Sequence, residues 1–251
     1  MAEPADAGGG GGSTWTDSAA GRLVGALVAP GATFRSLARR PTWVLALVVF
    51  TLAFLGQQLA VTANSDPEAT RQAMIEQFEA RGQVVDDEQL EQIEKWQRYG
   101  LGCVLILVPL VCLVNALLLW ALSNLVGGEA TFHRAMAVVA HGTMPLVVAS
   151  LLTVVVAYAG GGGLDPAEVQ RSGGLLSSNL AFLAPEDASL ALVVVLTFVD
   201  LFQLWALALT VWGMTLAAGI SLGAAGGIVG LVWVLEVAAL AGLASLGGGG
   251  G

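Results

Sequence analysis

Five stretches of this chain are too long and too apolar for a soluble core, and they dictate what it can fold into. They run from Trp43 to Ala63, Leu101 to Val126, Ala135 to Tyr158, Ser189 to Ala217 and Ala224 to Leu246. A helix needs about 20 apolar residues to cross the hydrocarbon of a bilayer, and every stretch supplies them. In lipid each peptide N–H and C=O has to be satisfied within its own segment, so each stretch reads as an α-helix. The expected fold class is all-α, a polytopic transmembrane bundle of about five spans. The chain then divides into a disordered tail at 1–16, an interfacial amphipathic segment at 17–42, a membrane domain at 43–246 and a flexible tail at 247–251. Within the membrane domain, residues 64–98 read as a helical extracytoplasmic hairpin. The fourth stretch exceeds what a bilayer needs and must tilt, bend near Gly213 or emerge into the interface. Only a short turn at Gly219 to Gly223 separates the last two, which implies an antiparallel hairpin.

Charge is scarce and segregated. Charged residues make up 12% of the chain, where a soluble domain carries roughly 25%. Nine of the nineteen acids lie between Asp66 and Glu94, so the net charge of −9 belongs mostly to one loop. No basic patch exists to neutralise phosphates, which argues against a nucleic-acid partner. Cys103 and Cys112 lie nine residues apart on one helix, a rise of about 13.5 Å, and a disulfide needs α-carbons within about 7 Å. Met1 to Trp15 lacks a basic region followed by an apolar run, so no signal peptide is expected there. The glycine runs Gly8–Gly12 and Gly247–Gly251 read as flexible tails.

Arg22, Arg35, Arg39 and Arg40 precede the first span, and the positive-inside rule puts them in the cytoplasm. The acidic loop from Asn64 to Arg98 then lies outside, with the C-terminus. Bases also occur in that loop, at Arg71, Arg81, Lys95 and Arg98. Between Asp17 and Arg40, apolar Leu23, Val24, Leu27, Phe34 and Leu37 alternate with arginines, and Pro30 divides the segment. Proline in a first helical turn is harmless, so a second helix is expected to start there. The spacing reads as an interfacial element with Phe34 in the acyl boundary and the arginines among lipid phosphates.

The outer loop reads as two helices. Asp66 caps the first, Pro67 fits its first turn, and Gly82 stops it. Met74, Ile75 and Phe78 form its apolar stripe. A second helix starts near Asp86, with Leu90, Ile93 and Trp96 on one side, and runs into the second span. Glu91 with Lys95, and Glu94 with Arg98, are spaced as i,i+4 pairs. The hairpin is either a docking surface or a solvated cap.

Charge inside lipid costs roughly 2.5 to 3.5 kcal/mol on insertion scales, so each instance needs an explanation. Asp200 lies mid-way along the fourth stretch and Glu236 mid-way along the fifth. With Asn115, Gln203 and His141 they form a candidate intramembrane polar cluster, and Gln57 and Gln58 sit on the outer half of the first span. One reading is a proton or ion path exchanging protons between Asp200 and Glu236. The other is a polar clamp, a neutral carboxyl hydrogen-bonded to an amide on a neighbouring helix. No lysine or arginine lies within a span to pair with either acid, which favours the clamp.

Gly226 and Gly230 form a GxxxG, and Gly213 with Ala217 repeats the small-residue spacing. Pro145 is expected to kink the third span. Trp43, Trp96 and Trp212 fall near span ends as interfacial anchors, whereas Trp120, Trp205 and Trp233 are expected in or around the bundle. No HExxH, GxSxG, P-loop or CxxC occurs, so neither catalytic residues nor a cofactor is expected. His133 and His141 lie eight apart with no acid on their face, a poor basis for a metal site.

Three segments in order around the five spans resemble the Yip domain family, five-span membrane proteins of the Ypt/Rab-interacting type. They are APGATFRSLARRPTW with Pro30, Phe34 and Leu37; GGEATFHRAMAVVAHGTMPL with Gly128, Thr131, Phe132 and Pro145; and VDLFQLWALAL with Asp200, Phe202 and Trp205. The resemblance runs from about Leu27 to Ser245. It implies a cytoplasmic N-terminus, an extracytoplasmic C-terminus and no enzymatic activity. Eukaryotic relatives bind small GTPases through a longer N-terminal region with an acidic, Tyr-Gly-Pro type motif. That motif is not found here, so GTPase binding is not carried over. The Ala/Gly/Val-rich composition looks like that of a high-GC bacterium, which would place the chain in a plasma membrane. The resemblance implies a non-enzymatic scaffold or accessory protein whose partners are lipid and other membrane proteins, export-system subunits among them, with oligomers also open. The alternative is a small proton-coupled transporter or channel using the intramembrane carboxylates. Membrane shaping by the N-terminal segment is a third reading.

Overall fold

The computed structural model describes residues 18–79, 82–185 and 188–248. The helix ends follow from local capping chemistry. Ser18 Oγ accepts from the Gly21 amide at 3.0 Å and opens α1, Ala19–Val28. Pro30 occupies the first position of α2, Pro30–Arg39, where its missing N–H would have had no helical partner anyway. After α3, Val44–Asn64, the Asp66 carboxylate accepts from the Glu68 and Ala69 amides at 2.8 and 3.1 Å and opens α4, Pro67–Glu79. The chain turns at Gly82, and a reciprocal Asp86–Gln89 capping box starts α5.

Helix α5, Asp87–Leu125, is 39 residues long. At 1.5 Å per residue that is about 58 Å, twice the hydrocarbon thickness, so it crosses the membrane and projects beyond it. Pro109 lies inside it. The third span is two helices, α6 (Phe132–Gly142) and α7 (Met144–Ala159), broken at Thr143 with Pro145 in the first turn of α7. This is the interruption the proline requires. After the short α8, Pro166–Arg171, come α9 (Leu190–Phe198), α10 (Leu201–Ala218) and α11 (Leu222–Gly248). Among the described residues, five helical segments are long and apolar enough to cross a membrane: Val44–Asn64, Tyr99–Leu125, Phe132–Ala159, Leu201–Ala218 and Leu222–Ser245. The fold is an all-α polytopic bundle, with no strand among the described residues.

The third span is the hub. Its apolar window is 56% buried by protein, against 11% for the second span, which therefore lies at the bundle margin with most of its surface left to lipid. Apolar side chains such as Ile106 and Val114 point outward, where bilayer solvates them without penalty. At one end of the bundle, α1 and α2 pack on α6, α7 and α10. At the other end, the Ser65–Leu164 bridge ties the loop after α3 to the loop before α8.

The fourth stretch is neither one tilted helix nor bent at Gly213. It breaks at Val199–Asp200, where Asp200 is the N-cap of α10. A continuous helix over 189–217 would be about 43 Å long. The cap leaves the 18 residues of α10, about 27 Å, to cross the membrane alone.

Phe34 also departs from expectation. It is 1% exposed and sits in the main apolar core with Leu37, Met136, Val138 and Met214, not in the acyl boundary. A Cβ on Gly213 would lie 2.6 Å from Val138 Cγ1 and 2.9 Å from Phe34 Cδ1, so only glycine lets α10 approach this closely. Arg22 is not among lipid phosphates either. It is 3% exposed and donates to the Arg40 carbonyl (3.0 Å), Thr42 Oγ1 (2.7 Å) and Ser36 Oγ (2.9 Å). Its guanidinium locks α1 to α2 and to the entry of α3. Arg35, Arg39 and Arg40 remain exposed.

Smaller corrections follow. Around Gly226 and Gly230 no neighbouring atom lies within 4 Å of a built Cβ, so this GxxxG is not a close helix contact. Among the described residues the hairpin's ion pair is Arg71 with Asp87, at 2.5 Å, and Glu91 does not pair with Lys95. The side chains of Glu94 and Arg98 lie outside the described residues, as do residues 1–17 and 249–251 of the expected tails. Helix α11 continues through Gly247 and Gly248, two residues into the glycine run read as a flexible tail.

Candidate functional site

Between the five spans lies a cavity of ≈ 800 Å³. Volumes of about 300–1,000 Å³ are those of small-molecule pockets. Its walls come from α3 (Phe50, Phe54, Gln57, Gln58), α5 (Cys112, Asn115), α7 (Ser150, Thr153), α10 (Asp200, Gln203) and α11 (Trp233, Glu236). The segment from Gly173 to Asn179 lines it at the end of the bundle away from α1 and α2. Along α11 it extends from Val229 to Leu240, about 16 Å of helix rise.

Four of the five residues of the polar cluster meet at this cavity: Asn115, Asp200, Gln203 and Glu236. The fifth does not. His141 is buried on the far side of α6 with Nδ1 2.9 Å from its own helix carbonyl at Ala137, and it does not line the cavity.

The two acids play different parts. Asp200 Oδ1 accepts from the Phe202 and Gln203 amides at 2.8 and 3.1 Å, while Oδ2 accepts from Ser178 Oγ. Three donors converge on one carboxylate, which satisfies the orphan amides at the start of α10 and pins the 172–183 segment across the cavity. Asn179 continues that fastening, donating to the Gly173 carbonyl at 3.1 Å and accepting from the Ala181 amide at 2.8 Å. Glu236 instead receives Asn115 Nδ2 at 2.6 Å, joining α5 to α11 across 121 residues of sequence. The contact pairs an amide with a carboxyl on a neighbouring helix. No lysine, arginine or histidine is among the described residues that line the cavity.

Two buried polar atoms among the described residues have no hydrogen-bond partner: Asn115 Oδ1 and Trp233 Nε1. Trp233 precedes Glu236 by three residues and so shares its face of α11. Sequence reasoning placed Trp233 only in or around the bundle, although that i,i+3 spacing was the available signal. Ser178 carried none, because it lies in a loop and meets Asp200 only through the tertiary fold.

The remaining motif positions are structural. Pro30 starts α2, Pro145 starts α7, and Phe132 packs on the core from the first turn of α6. At Gly128 a Cβ would meet the Ser123 carbonyl at 2.7 Å and Ile220 Cγ2 at 2.9 Å, so this glycine lets the loop after α5 lie against the end of α10. Phe202 lends its amide to the Asp200 cap, and Trp205 is 37% exposed at the rim of the bundle. Among the described residues no group of three or more His, Cys, Asp or Glu is placed to hold a metal ion.

An all-α bundle with five membrane-crossing segments around a central cavity is a multi-pass membrane protein. The family model for the Yip1 domain matches residues 24–244, and the chain belongs to that family. The family is one of membrane proteins not known for enzymatic activity, which fits a membrane-associated, non-enzymatic role. No curated protein and no solved structure matches the chain.

Proposed function

We propose that this protein is a non-enzymatic membrane scaffold or accessory protein that works by binding other membrane proteins, export-system subunits being one class of partner. The observation behind the reading is the second span. It is barely enclosed by its own bundle, and α5 continues past the membrane into the acidic hairpin, so one continuous helix offers an apolar stripe and a charged extension to a neighbour. In this reading α1 and α2, with exposed Arg35, Arg39 and Arg40, lie on the cytoplasmic side and the hairpin lies outside. An odd number of spans then puts the C-terminus outside as well, in a cell membrane.

Photo-crosslinkers at Ile106 and Val114, on the exposed face of α5, test this in native membranes, with buried Val139 as the control position. The expected result is a discrete adduct with another membrane protein from the first two positions only. Adducts with lipid alone, together with no protein copurifying, would refute it.

A proton-coupled transporter is the second reading, favoured by the cavity itself. The three donors on Asp200 mark it as a cap, which leaves Glu236, held by the Asn115 amide, as the carboxyl free to exchange a proton. A pH-driven flux in liposomes that Glu236→Gln abolishes while Asp200→Asn spares it would support this reading over the scaffold.

A further inference from the structure

The cavity between the spans changes character along its length. Towards α1 and α2 its walls are apolar, with Phe50, Leu119, Val139, Val229 and Val232. Two turns beyond Phe50 on α3, and in the first turn of α10, the lining becomes the amides of Gln57, Gln58 and Gln203. These three side chains are half-buried and hydrogen-bond to no other described residue. They are not sealed in protein either. The buried polar atoms without partners among the described residues are Asn115 Oδ1 and Trp233 Nε1, which lie out of reach and take no part. The glutamines therefore present open amides at the end of the cavity that Ser178 and Asp200 also line.

We propose that this cavity binds an uncharged amphiphile with a hydroxylated head, of the alkylglycerol or monoacylglycerol kind. Its hydroxyls bond to Gln57, Gln58 and Gln203, and its chain lies in the apolar half. Each glutamine amide offers two donors and an acceptor, and a hydroxyl likewise donates and accepts. The apolar half is a poor host for water, because water needs polar partners to enter a cavity, but it solvates a hydrocarbon chain. Other heads fit worse. A phosphate or carboxylate would meet Asp200 and Glu236 with no cationic side chain among the described lining to hold it. A trimethylammonium head has no donor for the amide oxygens. A plain alkane would leave the amides unengaged.

The test uses the full chain in lipid nanodiscs and three photoactivatable dodecyl probes, each with a diazirine in the chain. Their heads are glycerol, phosphate and trimethylammonium. Adducts are mapped by mass spectrometry at Leu119, which lines the cavity, and at Ile106, which is exposed on the same helix. The glycerol probe is expected to label Leu119 saturably and to be displaced by unlabelled dodecylglycerol. The phosphate and trimethylammonium probes should label Ile106 only. Gln57→Leu combined with Gln203→Leu should raise the half-saturating mole fraction at Leu119 about tenfold, the weight of two neutral hydrogen bonds. Neither substitution strands a protein partner, because the amides have none among the described residues. Absence of saturable labelling at Leu119, equal labelling there by either charged probe, or unchanged half-saturation in the double variant would each overturn the proposal. If the double variant fails to elute as a single species, the ranking of the three heads on the unaltered protein decides. The scaffold reading is tested separately by protein adducts from α5, so failure of one leaves the other intact.

Discussion

Replacing Phe34 by alanine distinguishes a core side chain from a lipid-facing one. The ring is 1% exposed and packs among Leu37, Val138 and Met214, with Gly213 directly beneath it. Phe→Ala in a packed core costs about 3–5 kcal/mol, part transfer and part cavity. When α2 lifts away, its apolar face shelters in the bilayer interface instead of water, which shrinks the transfer part. The cost should therefore fall near the lower figure, about 3 kcal/mol, set by the cavity and the lost contacts. That is roughly a hundredfold in the opening equilibrium of α2. Hydrogen exchange in nanodiscs reads it directly. Amides of Thr33 to Arg39 should exchange about a hundredfold faster, while those of α11 stay unchanged. A second substitution checks the geometry. Gly213→Ala collides with both Phe34 and Val138, and removing the ring relieves one of the two clashes. Its cost should be smaller in the Phe34→Ala background than alone, a coupling measurable by a double-mutant cycle. An exchange rate within threefold of the parent, or strictly additive costs, would refute the core assignment and restore Phe34 to the lipid boundary.

Two further predictions concern polar fastenings. Asp200→Ala removes the cap of α10 and the partner of Ser178, and should lower stability in detergent by about 1–2 kcal/mol. Asp200→Asn keeps the acceptor Oδ1 and should lose less than half of that in a thermal melt. Arg22→Leu leaves the Arg40 carbonyl, Thr42 and Ser36 without their buried donor, at a cost of about 2–4 kcal/mol. Limited proteolysis should then cut between Arg39 and Val44, and Arg22→Lys should not restore protection, because one ammonium cannot reproduce the planar fork.

Sequence alone determined what depends on neighbours along the chain. The five crossing segments were legible because spanning a bilayer requires only length and hydropathy. The starts of α2, α4 and α5 were legible too, since Pro30 fits a first helical turn by its own ring and Asp66 and Asp86 cap amides within three residues of themselves. Tertiary structure decided what depends on contacts between distant segments. Ser178 reaches the Asp200 carboxylate from a loop, the Asn115–Glu236 contact joins helices 121 residues apart, and Phe34 is interior only because Gly213 makes room for it. An amphipathic helix has the same spacing whether its apolar face meets lipid or protein, so pattern alone could not tell which surface α2 would cover.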